Sequence, residues 1–197
     1  MSKNIIWSEN LISRKDRESM LGQKGVIIWM TGLSGSGKST IAKSLEKKLH
    51  ENSKLAYILD GDNIRHGLNS DLGFSKDNRV ENLRRITEVG KLFLDLGVIT
   101  IVSFISPYLE DRERIRAEFA SDEFIEVYVK CSLEECERRD VKGLYKKARK
   151  GEVKNFTGID SEYEAPVNPE LVLNTESIGI EALSDKVLDY LITLWEG

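Results

Sequence analysis

The feature that most constrains this chain is an eight-residue loop, Gly32 to Ser39, which reads Gly-Leu-Ser-Gly-Ser-Gly-Lys-Ser. It matches the phosphate-binding pattern G-x-x-x-x-G-K-[S/T] in full. A continuous apolar run, Val26 to Met30, precedes the loop, and Ile41 and Leu45 follow it at helical spacing. A strand, a loop and a helix in this order are the context in which the pattern holds phosphates. The sequence therefore predicts a nucleoside triphosphate site on an α/β sheet.

The residue types of this P-loop suit phosphate chemistry. Glycines let the backbone curl with positive φ, so that successive N–H groups point at a phosphate, and the helix N-terminus adds partial positive charge. We expect Lys38 to reach the β- and γ-phosphates and the Ser39 hydroxyl to ligate Mg²⁺. The predicted ATP-binding residues are Gly32, Leu33, Ser34, Gly35, Ser36, Gly37, Lys38, Ser39 and Thr40. The fifth strand ends in Leu-Asn-Thr-Glu at 173–176 rather than in the guanine-reading pattern N-K-x-D, so ATP is expected rather than GTP.

Alternating apolar runs and helical patterns predict the architecture. Four more strand-length runs cover 55–59, 98–102, 124–129 and 171–173, and helical patterns cover 80–96, 112–120, 133–139 and 180–195. Strands that are apolar on both faces and alternate with helices favour a P-loop NTPase fold of class α/β, with a five-stranded, mostly parallel sheet and helices on both faces. We expect one domain over residues 25–197, preceded by an N-terminal arm, 1–24, that lies on the body or on a partner subunit. The apolar anchors of this arm are Ile5, Ile6, Trp7, Leu11 and Ile12.

Charge and composition exclude several classes of protein. Lys and Arg number 29 against 33 Asp and Glu, so the surface as a whole is not built for nucleic acid. No apolar run approaches the roughly 20 residues that span a bilayer, and residues 1–10 lack a signal-peptide core, so we expect no membrane partner and a cytoplasmic location. Cys131 and Cys136 are too few for a disulfide framework or a zinc site, and we expect reduced packing residues.

Two acids follow the second predicted strand, in Asp60-Gly-Asp62. Ligands bind at the carboxyl ends of parallel strands, and phosphoryl transfer needs a carboxylate near the metal and the attacking hydroxyl. We therefore predict that Asp60 and Asp62 are catalytic and that Asp60 also binds Mg²⁺ beside Ser39. The spacing leaves open which carboxylate accepts the proton, although the place of Asp60 at the strand end favours Asp60.

The segment 140–169 has no apolar period and carries six basic residues in its first half. They are Lys142, Lys146, Lys147, Arg149, Lys150 and Lys154. Long segments without regular structure inside a compact domain are often lids or binding loops. We predict a lid here, called the lid segment below.

A string of short motifs resembles the adenylylsulfate kinase (APS kinase) family. In chain order the motifs are Asp60-Gly-Asp-Asn-Ile-Arg-His-Gly-Leu68, Asp71-Leu-Gly-Phe74, Asn78-Arg79, Glu81-Asn82, Arg84-Arg85, Phe104-Ile-Ser-Pro107, Lys142-Gly-Leu-Tyr-Lys-Lys-Ala-Arg149 and Phe156-Thr-Gly-Ile-Asp160. With the P-loop they cover residues 26–174. The resemblance implies a kinase that phosphorylates the 3′-hydroxyl of adenosine 5′-phosphosulfate (APS) with MgATP, in sulfate activation, and that forms a homodimer.

The resemblance also implies roles for individual residues on the acceptor side. Arg65, Arg79 and Asn82 would hold the phosphosulfate and ribose, since Arg suits bidentate recognition of oxyanions. Phe74 and Phe156 would sandwich the adenine, because a base can stack on an aromatic ring. Ile105 and Lys154 complete the predicted acceptor-binding set, with Lys154 adding positive charge over the sulfate.

Ser106 is marked by the resemblance as a phosphoserine intermediate and is therefore a catalytic candidate. Chemistry favours a lesser role, because a serine hydroxyl is a weak nucleophile without an adjacent base. Pro107 restricts the preceding backbone toward an extended form that would present the side chain. We predict that Ser106 contacts nucleotide or a neighbouring loop.

Two other functions remain as alternatives. A related P-loop kinase would phosphorylate another small hydroxyl compound, such as a sugar acid, but a sugar acid gives two stacking rings no role. A regulatory nucleotide-binding module with a dead site would have lost Lys38 or both acids, and all three are present.

Overall fold

The computed structural model describes residues 6, 8 and 10–196. The strands are β1 Val26–Thr31, β2 Ala56–Asp60, β3 Ile99–Ser103, β4 Phe124–Lys130 and β5 Leu171–Asn174. The helices are α1 Arg14–Leu21, α2 Lys38–Glu51, α3 Gly61–Arg65, α4 Lys76–Asp95, α5 Leu109–Arg116, α6 Leu133–Arg139, α7 Leu144–Arg149 and α8 Ile180–Glu196. None of these helices is long and apolar enough to cross a membrane.

The five strands form one sheet in the order β2-β3-β1-β4-β5, and every pairing is parallel. The α/β class and the five-stranded sheet are thereby confirmed. All six residues of the central strand β1 are buried, because a strand with neighbours on both sides and helices on both faces meets no water. One apolar core lies beneath α2 and α8 and includes Ile41 and Val187, and the other lies beneath α4 and includes Ile86 and Trp29.

The strand register sets the active edge of the sheet. Ser103 of β3 pairs with Met30 of β1 on one side and with Asp60 of β2 on the other. The P-loop leaves β1 one residue after this row, at Thr31. The topology therefore brings the P-loop and the Asp60-Gly-Asp62 motif to the same carboxyl edge, where ligands of open α/β sheets bind.

The N-terminal arm contains α1, whose start is fixed by a capping box between Ser13 and Asp16. The helix lies on the body of the molecule, since Arg17 forms a 2.7 Å ion pair with Asp95 at the end of α4. Of the predicted anchors, Ile5 and Trp7 lie outside the described residues, whereas Ile6, Leu11 and Ile12 are exposed rather than buried against the body.

Two local predictions, the bounds of one helix and the lack of regular structure in the lid segment, are wrong for physical reasons. The helix expected at 112–120 spans Leu109–Arg116, and the Glu164 carboxylate accepts the Leu109 N–H at 2.6 Å, a contact with a residue distant in the chain. The lid segment was expected to lack regular structure, yet it contains α7. With only six residues, α7 is too short to show an apolar period, and its N–H groups at Tyr145 and Lys146 bond to the Asp140 carboxylate.

Candidate active site

A cleft of about 460 Å³ lies at the carboxyl edge of the sheet, within the range of small-molecule sites. Its walls include every predicted catalytic and acceptor-binding residue, together with six predicted ATP-binding residues. Those six are Ser34, Gly35, Gly37, Lys38, Ser39 and Thr40. The other three, Gly32, Leu33 and Ser36, are not among its lining residues. One continuous space thus joins the two predicted nucleotide sites.

Gly32 lies where the P-loop closely approaches strand β4. Its φ is +152°, and a Cβ placed on it would lie 2.4 Å from the Val129 carbonyl oxygen. Only glycine fits this approach of the loop to β4. The P-loop can therefore lie directly on the neighbouring strand.

Lys38 is folded back into the P-loop. Its Nζ donates hydrogen bonds of 2.9 Å to the Gly32 carbonyl and 2.8 Å to the Leu33 carbonyl. Burial lowers the pKa of Lys38 from its ordinary value of 10.5 to about 8, because a charged group loses hydration in the interior. The ammonium group is thereby held inside the loop that would surround a phosphate.

Ser39 and Asp60 bring two oxygen ligands together. The Ser39 hydroxyl donates to Asp60 Oδ2 at 2.6 Å and lies 3.3 Å from the Ser103 hydroxyl. Asp60 Oδ1 accepts the Asp62 N–H at 3.0 Å and so caps α3. Magnesium prefers oxygen ligands, and proteins usually hold it through one or two carboxylates with substrate phosphates and water. The described residues hold no cluster of three or more His, Cys, Asp or Glu that would suit a metal. The pair fits a magnesium ion shared with a nucleotide.

Asp62 reaches in the other direction, toward the lid segment. Its carboxylate forms an ion pair with Lys142. Both side chains are more than half exposed, at 63% and 56%, so water and salt screen the pair. The ion pair is therefore a weak bridge across the mouth of the cleft.

Arg65 and Phe74 form a stacked pair on the acceptor side. The Arg65 guanidinium lies 4.4 Å from the centroid of the Phe74 ring and donates to the carbonyls of Leu72 and Gly73 at 2.9 and 3.0 Å. Phe74 itself is 60% exposed. A large aromatic ring held at the cleft wall and open to solvent is available for stacking on a base.

Arg79 and Asn82 project from α4 toward the same region. Arg79 donates to the Phe74 carbonyl at 3.0 Å and to the Thr157 hydroxyl at 3.1 Å, and thus joins α4 to the lid segment. Asn82 is buried and accepts a 2.9 Å hydrogen bond from Asn69. Burial lowers the pKa of Arg79 from its ordinary value.

Phe156 lies in a different environment from Phe74. It is only 9% exposed and belongs to a small apolar cluster on the lid segment side of the cleft. We call this the lid cluster; its buried members are Cys131, Cys136, Tyr145, Ala148 and Phe156. Both cysteines are free and buried there, as predicted. Phe156 thus packs in a core while still lining the cleft. Lys154, two residues earlier, is exposed.

Ser106 differs from its predicted conformation. Its φ is +39°, not extended, because its carbonyl accepts a 2.6 Å hydrogen bond from Arg112 and a 3.3 Å bond from Thr31. The Ser106 hydroxyl accepts a hydrogen bond from the Trp29 indole at 3.1 Å, and the residue is buried. The hydroxyl thus bonds to strand β1 rather than to a neighbouring loop, and because Ser106 also lines the cleft, its contact with nucleotide stays a prediction.

Arg139 and Thr175 support the P-loop, and sequence reasoning gave them no role. The Arg139 guanidinium donates to the Thr175 hydroxyl and carbonyl at 3.1 and 2.9 Å, and the Thr175 hydroxyl donates to the Ser36 carbonyl at 2.9 Å. Thr175 directly follows β5 and therefore lies at the ligand-binding edge. That position is the signal by which the sequence could have identified Thr175.

Comparisons with known proteins identify relatives of this chain. A family model described as adenylylsulphate kinase matches residues 24–174. An adenylyl-sulfate kinase of Clostridium acetobutylicum is 57% identical over 190 residues, covering 96% of this chain and 94% of the relative. An APS kinase of Mycobacterium tuberculosis, solved with AMPPNP and APS, is 48% identical with a TM-score of 0.81, covering 89% of this chain and 99% of that chain. A hexameric APS kinase from Thiobacillus denitrificans is 30% identical with a TM-score of 0.66, covering 90% of this chain and 30% of that chain.

Proposed function

This chain belongs to the adenylylsulfate kinase family, and on that premise we propose that it transfers the γ-phosphoryl group of MgATP to the 3′-hydroxyl of APS. The product is 3′-phosphoadenosine 5′-phosphosulfate, formed in sulfate activation. The observation that carries the proposal is the single cleft that joins the P-loop to the acceptor residues implied by the motifs. Catalysis of phosphoryl transfer is mostly positioning and charge neutralisation, and a shared cleft supplies both.

On the ATP side, the P-loop N–H groups surround the phosphates and Lys38 neutralises charge on the transferred group. The ammonium is already inside the loop, 2.9 Å from the Gly32 carbonyl. When phosphates enter, it exchanges carbonyl partners for phosphate oxygens. A buried cation that needs little reorganisation stabilises developing charge efficiently.

Ser39 and Asp60 are the proposed protein ligands of Mg²⁺, because their oxygens lie 2.6 Å apart at the end of the P-loop. An ion held by these two residues would supply positive charge that neutralises the phosphates. Ser39 and Asp60 then fix where the γ-phosphoryl group lies relative to the acceptor.

On the acceptor side, Phe74 and Phe156 stack on the adenine, while Arg65, Arg79 and Asn82 hold the phosphosulfate and ribose. Ile105 and Lys154 complete this wall of the cleft. Arg79 of α4 already contacts Thr157 of the lid segment. We therefore expect the lid segment to cover a bound acceptor. Exclusion of water protects the phosphoryl group from hydrolysis.

Asp62 is the carboxylate that we propose as proton acceptor. Both Asp60 oxygens are engaged, one by Ser39 and the other by the Asp62 N–H. Asp62 has only an exposed ion pair with Lys142 to give up. The position of Asp60 at the strand end favours Asp60 as proton acceptor. The difference in hydrogen bonding between the two carboxylates favours Asp62, and we give it more weight.

Assembly, domain boundaries and location complete the proposal. We expect residues 25–197 to act as one P-loop kinase domain, in a homodimer, although the Thiobacillus denitrificans relative is hexameric. A cytoplasmic location fits an ATP-consuming enzyme with two free thiols. Light scattering after gel filtration would determine the assembly.

A coupled assay of ADP release tests the central claim. Purified protein with MgATP should release ADP rapidly only when APS is added, and Lys38→Ala should lose about 10²- to 10³-fold in rate. A sugar acid in place of APS serves as the control acceptor. Equal ADP release with and without APS, or faster release with the sugar acid, contradicts the proposal.

A further inference from the structure

We propose that Tyr145 is a positioning residue that ties the ATP-binding loop to the acceptor side of the cleft. The inference rests on the proposed function and concerns a side chain to which the motifs assign no role. The Tyr145 hydroxyl donates a 2.8 Å hydrogen bond to the Ser34 carbonyl of the P-loop. Its ring lies edge-on to Phe156, with centroids 4.9 Å apart and planes at 77°. One side chain therefore contacts both predicted nucleotide sites.

Tyr145 acts through its neighbours rather than on substrate. It is 2% exposed and is not among the residues that line the cleft, whereas Ser34 and Phe156 both line it. Its backbone is fixed as well, since the Asp140 carboxylate accepts its N–H at 3.0 Å. A tyrosine has only two side-chain torsions, so its hydroxyl and ring cannot move independently.

The hydroxyl end orients one peptide of the P-loop. In a planar trans peptide, the C=O and the following N–H point in opposite directions. Holding the Ser34 carbonyl toward Tyr145 therefore turns the Gly35 N–H away from Tyr145. Gly35 has a φ of +76° and lines the cleft, so this N–H is one of the groups that would receive a phosphate.

The ring end orients the acceptor ring. Edge-on contact fixes the plane of Phe156, and aromatic pairs in this arrangement have a definite geometry. The exposed ring of Phe74 has Arg65 stacked on it instead, so each of the two adenine-binding rings has its own support. Tyr145, which supports Phe156, also contacts the P-loop.

The hydroxyl and the ring of Tyr145 predict separate effects, the first on ATP binding and the second on the KM for APS. Tyr145→Phe removes only the hydroxyl and should weaken binding of a non-hydrolysable ATP analogue about 3- to 10-fold, the effect of one lost hydrogen bond. Its KM for APS should stay within twofold of the wild-type value. Tyr145→Leu removes the ring as well and should also raise the KM for APS about 2- to 10-fold.

The experiment combines calorimetric titration of the ATP analogue with steady-state kinetics for APS. Tyr57→Phe, an identical deletion at an exposed tyrosine of edge strand β2 that does not line the cleft, is the matched control and should change neither constant. Unchanged analogue binding in Tyr145→Phe, or equal shifts of both constants in that variant, overturns the proposal. If Tyr145→Leu does not fold, the result for Tyr145→Phe decides alone.

Failure of the proposed function gives a different result. In that case the wild-type protein does not phosphorylate APS at all. The calorimetric comparison of the wild-type protein with Tyr145→Phe still measures the contact with the P-loop, because it needs no acceptor.

Discussion

The hydroxyl of Ser39 and the carboxylate of Asp60 share a 2.6 Å hydrogen bond that joins the first turn of α2 to the end of β2. These residues are 21 positions apart in the chain, and the parallel sheet brings them together. The contact divides the work of the two acids of the Asp60-Gly-Asp62 motif, because it engages Asp60 and leaves the side chain of Asp62 to an exposed ion pair.

Substitution of each acid should therefore affect a different property. Asp60→Asn should raise the Mg²⁺ concentration needed for half-maximal activity about tenfold or more, since one metal ligand loses its charge. Asp62→Asn should lower kcat with little effect on the KM for APS or on the Mg²⁺ requirement, as expected for loss of a proton acceptor. Magnesium titrations of both variants test this. Exchanged phenotypes would assign the proton to Asp60.

The lowered pKa of Lys38, about 8, predicts how activity depends on pH. Phosphate binding needs the ammonium form, so kcat/KM for ATP should fall as pH rises through about 8, with the slope of one proton. Bound phosphates favour the charged form, and the fall in kcat should therefore come at higher pH. A kcat/KM for ATP that stays flat to pH 10 would contradict this.

Lys38 also affects the free energy of unfolding, and this effect increases with pH while the effect on activity decreases. The pKa of Lys38 is about 8 in the folded protein and near 10.5 when unfolded, so the unfolded state binds more protons between these values. The contribution of Lys38 to the free energy of unfolding should therefore rise with pH across that window. Urea unfolding of the wild-type protein and Lys38→Met at pH 7.5 and 9.5 measures it, since the variant lacks this rise.

Phe74 and Phe156 should respond differently to removal. Phe74→Ala should raise the KM for APS about tenfold or more, because base stacking contributes about 1 to 3 kcal/mol. It should leave the KM for ATP and the melting temperature nearly unchanged, because Phe74 is 60% exposed. Phe156→Ala should also lose stability, by about 3 kcal/mol, because it opens a cavity in the lid cluster. An equal rise in the KM for ATP would mean that the two nucleotide sites are exchanged.

Ser106→Ala should keep most of its activity and lose stability. The change leaves the Trp29 indole N–H without its partner in a buried site, at a cost of about 1 to 3 kcal/mol. Direct transfer should invert the configuration at a chiral γ-phosphorus. Retention of configuration, or an inactive but folded variant, would instead support a phosphoserine intermediate.

Arg112 and Glu126 provide a test of the buried charges. They form a 2.9 Å ion pair in which Arg112 is 2% exposed and Glu126 is 9% exposed. Arg112→Met should destabilise the protein by about 3 to 5 kcal/mol, because Glu126 keeps only the 3.3 Å ion pair with Arg116. The double variant Arg112→Met with Glu126→Gln should lose less, because it also removes the buried carboxylate charge. Urea unfolding measures both. The exposed pair of Arg84 and Glu81 is the control, where Arg84→Ala should cost less than about 1 kcal/mol.

Sequence patterns predicted those helices, strands and loops whose defining residues lie close together in the chain. The apolar run of β1, the glycines of the P-loop and the spacing of Ile41 and Leu45 all lie within 20 residues. The rule that ligands bind at the carboxyl edge of a parallel sheet then predicted that Asp60 lies beside the P-loop. The family motifs likewise named acceptor residues that do line the cleft.

Contacts between distant segments account for what the sequence could not predict. The start of α5 depends on Glu164, 55 residues away, and the carbonyl of Ser106, a residue with positive φ, accepts a hydrogen bond from Thr31, 75 residues away. The ion pair of Asp62 with Lys142 spans 80 residues. No periodicity within a window of ten or twenty residues carries such information.

The sheet order gives the two halves of the cleft unequal resistance to local opening. The P-loop begins at β1, which has hydrogen-bonded neighbours on both sides and no exposed residue. Amide hydrogens of such a strand exchange with solvent only through global unfolding. On the acceptor side, Arg65 lies on the short helix that directly follows edge strand β2, whose Tyr57 is 54% exposed, and Lys154 and Phe156 lie on the lid segment. Under mildly destabilising conditions the protein should therefore lose affinity for APS while it still binds ATP.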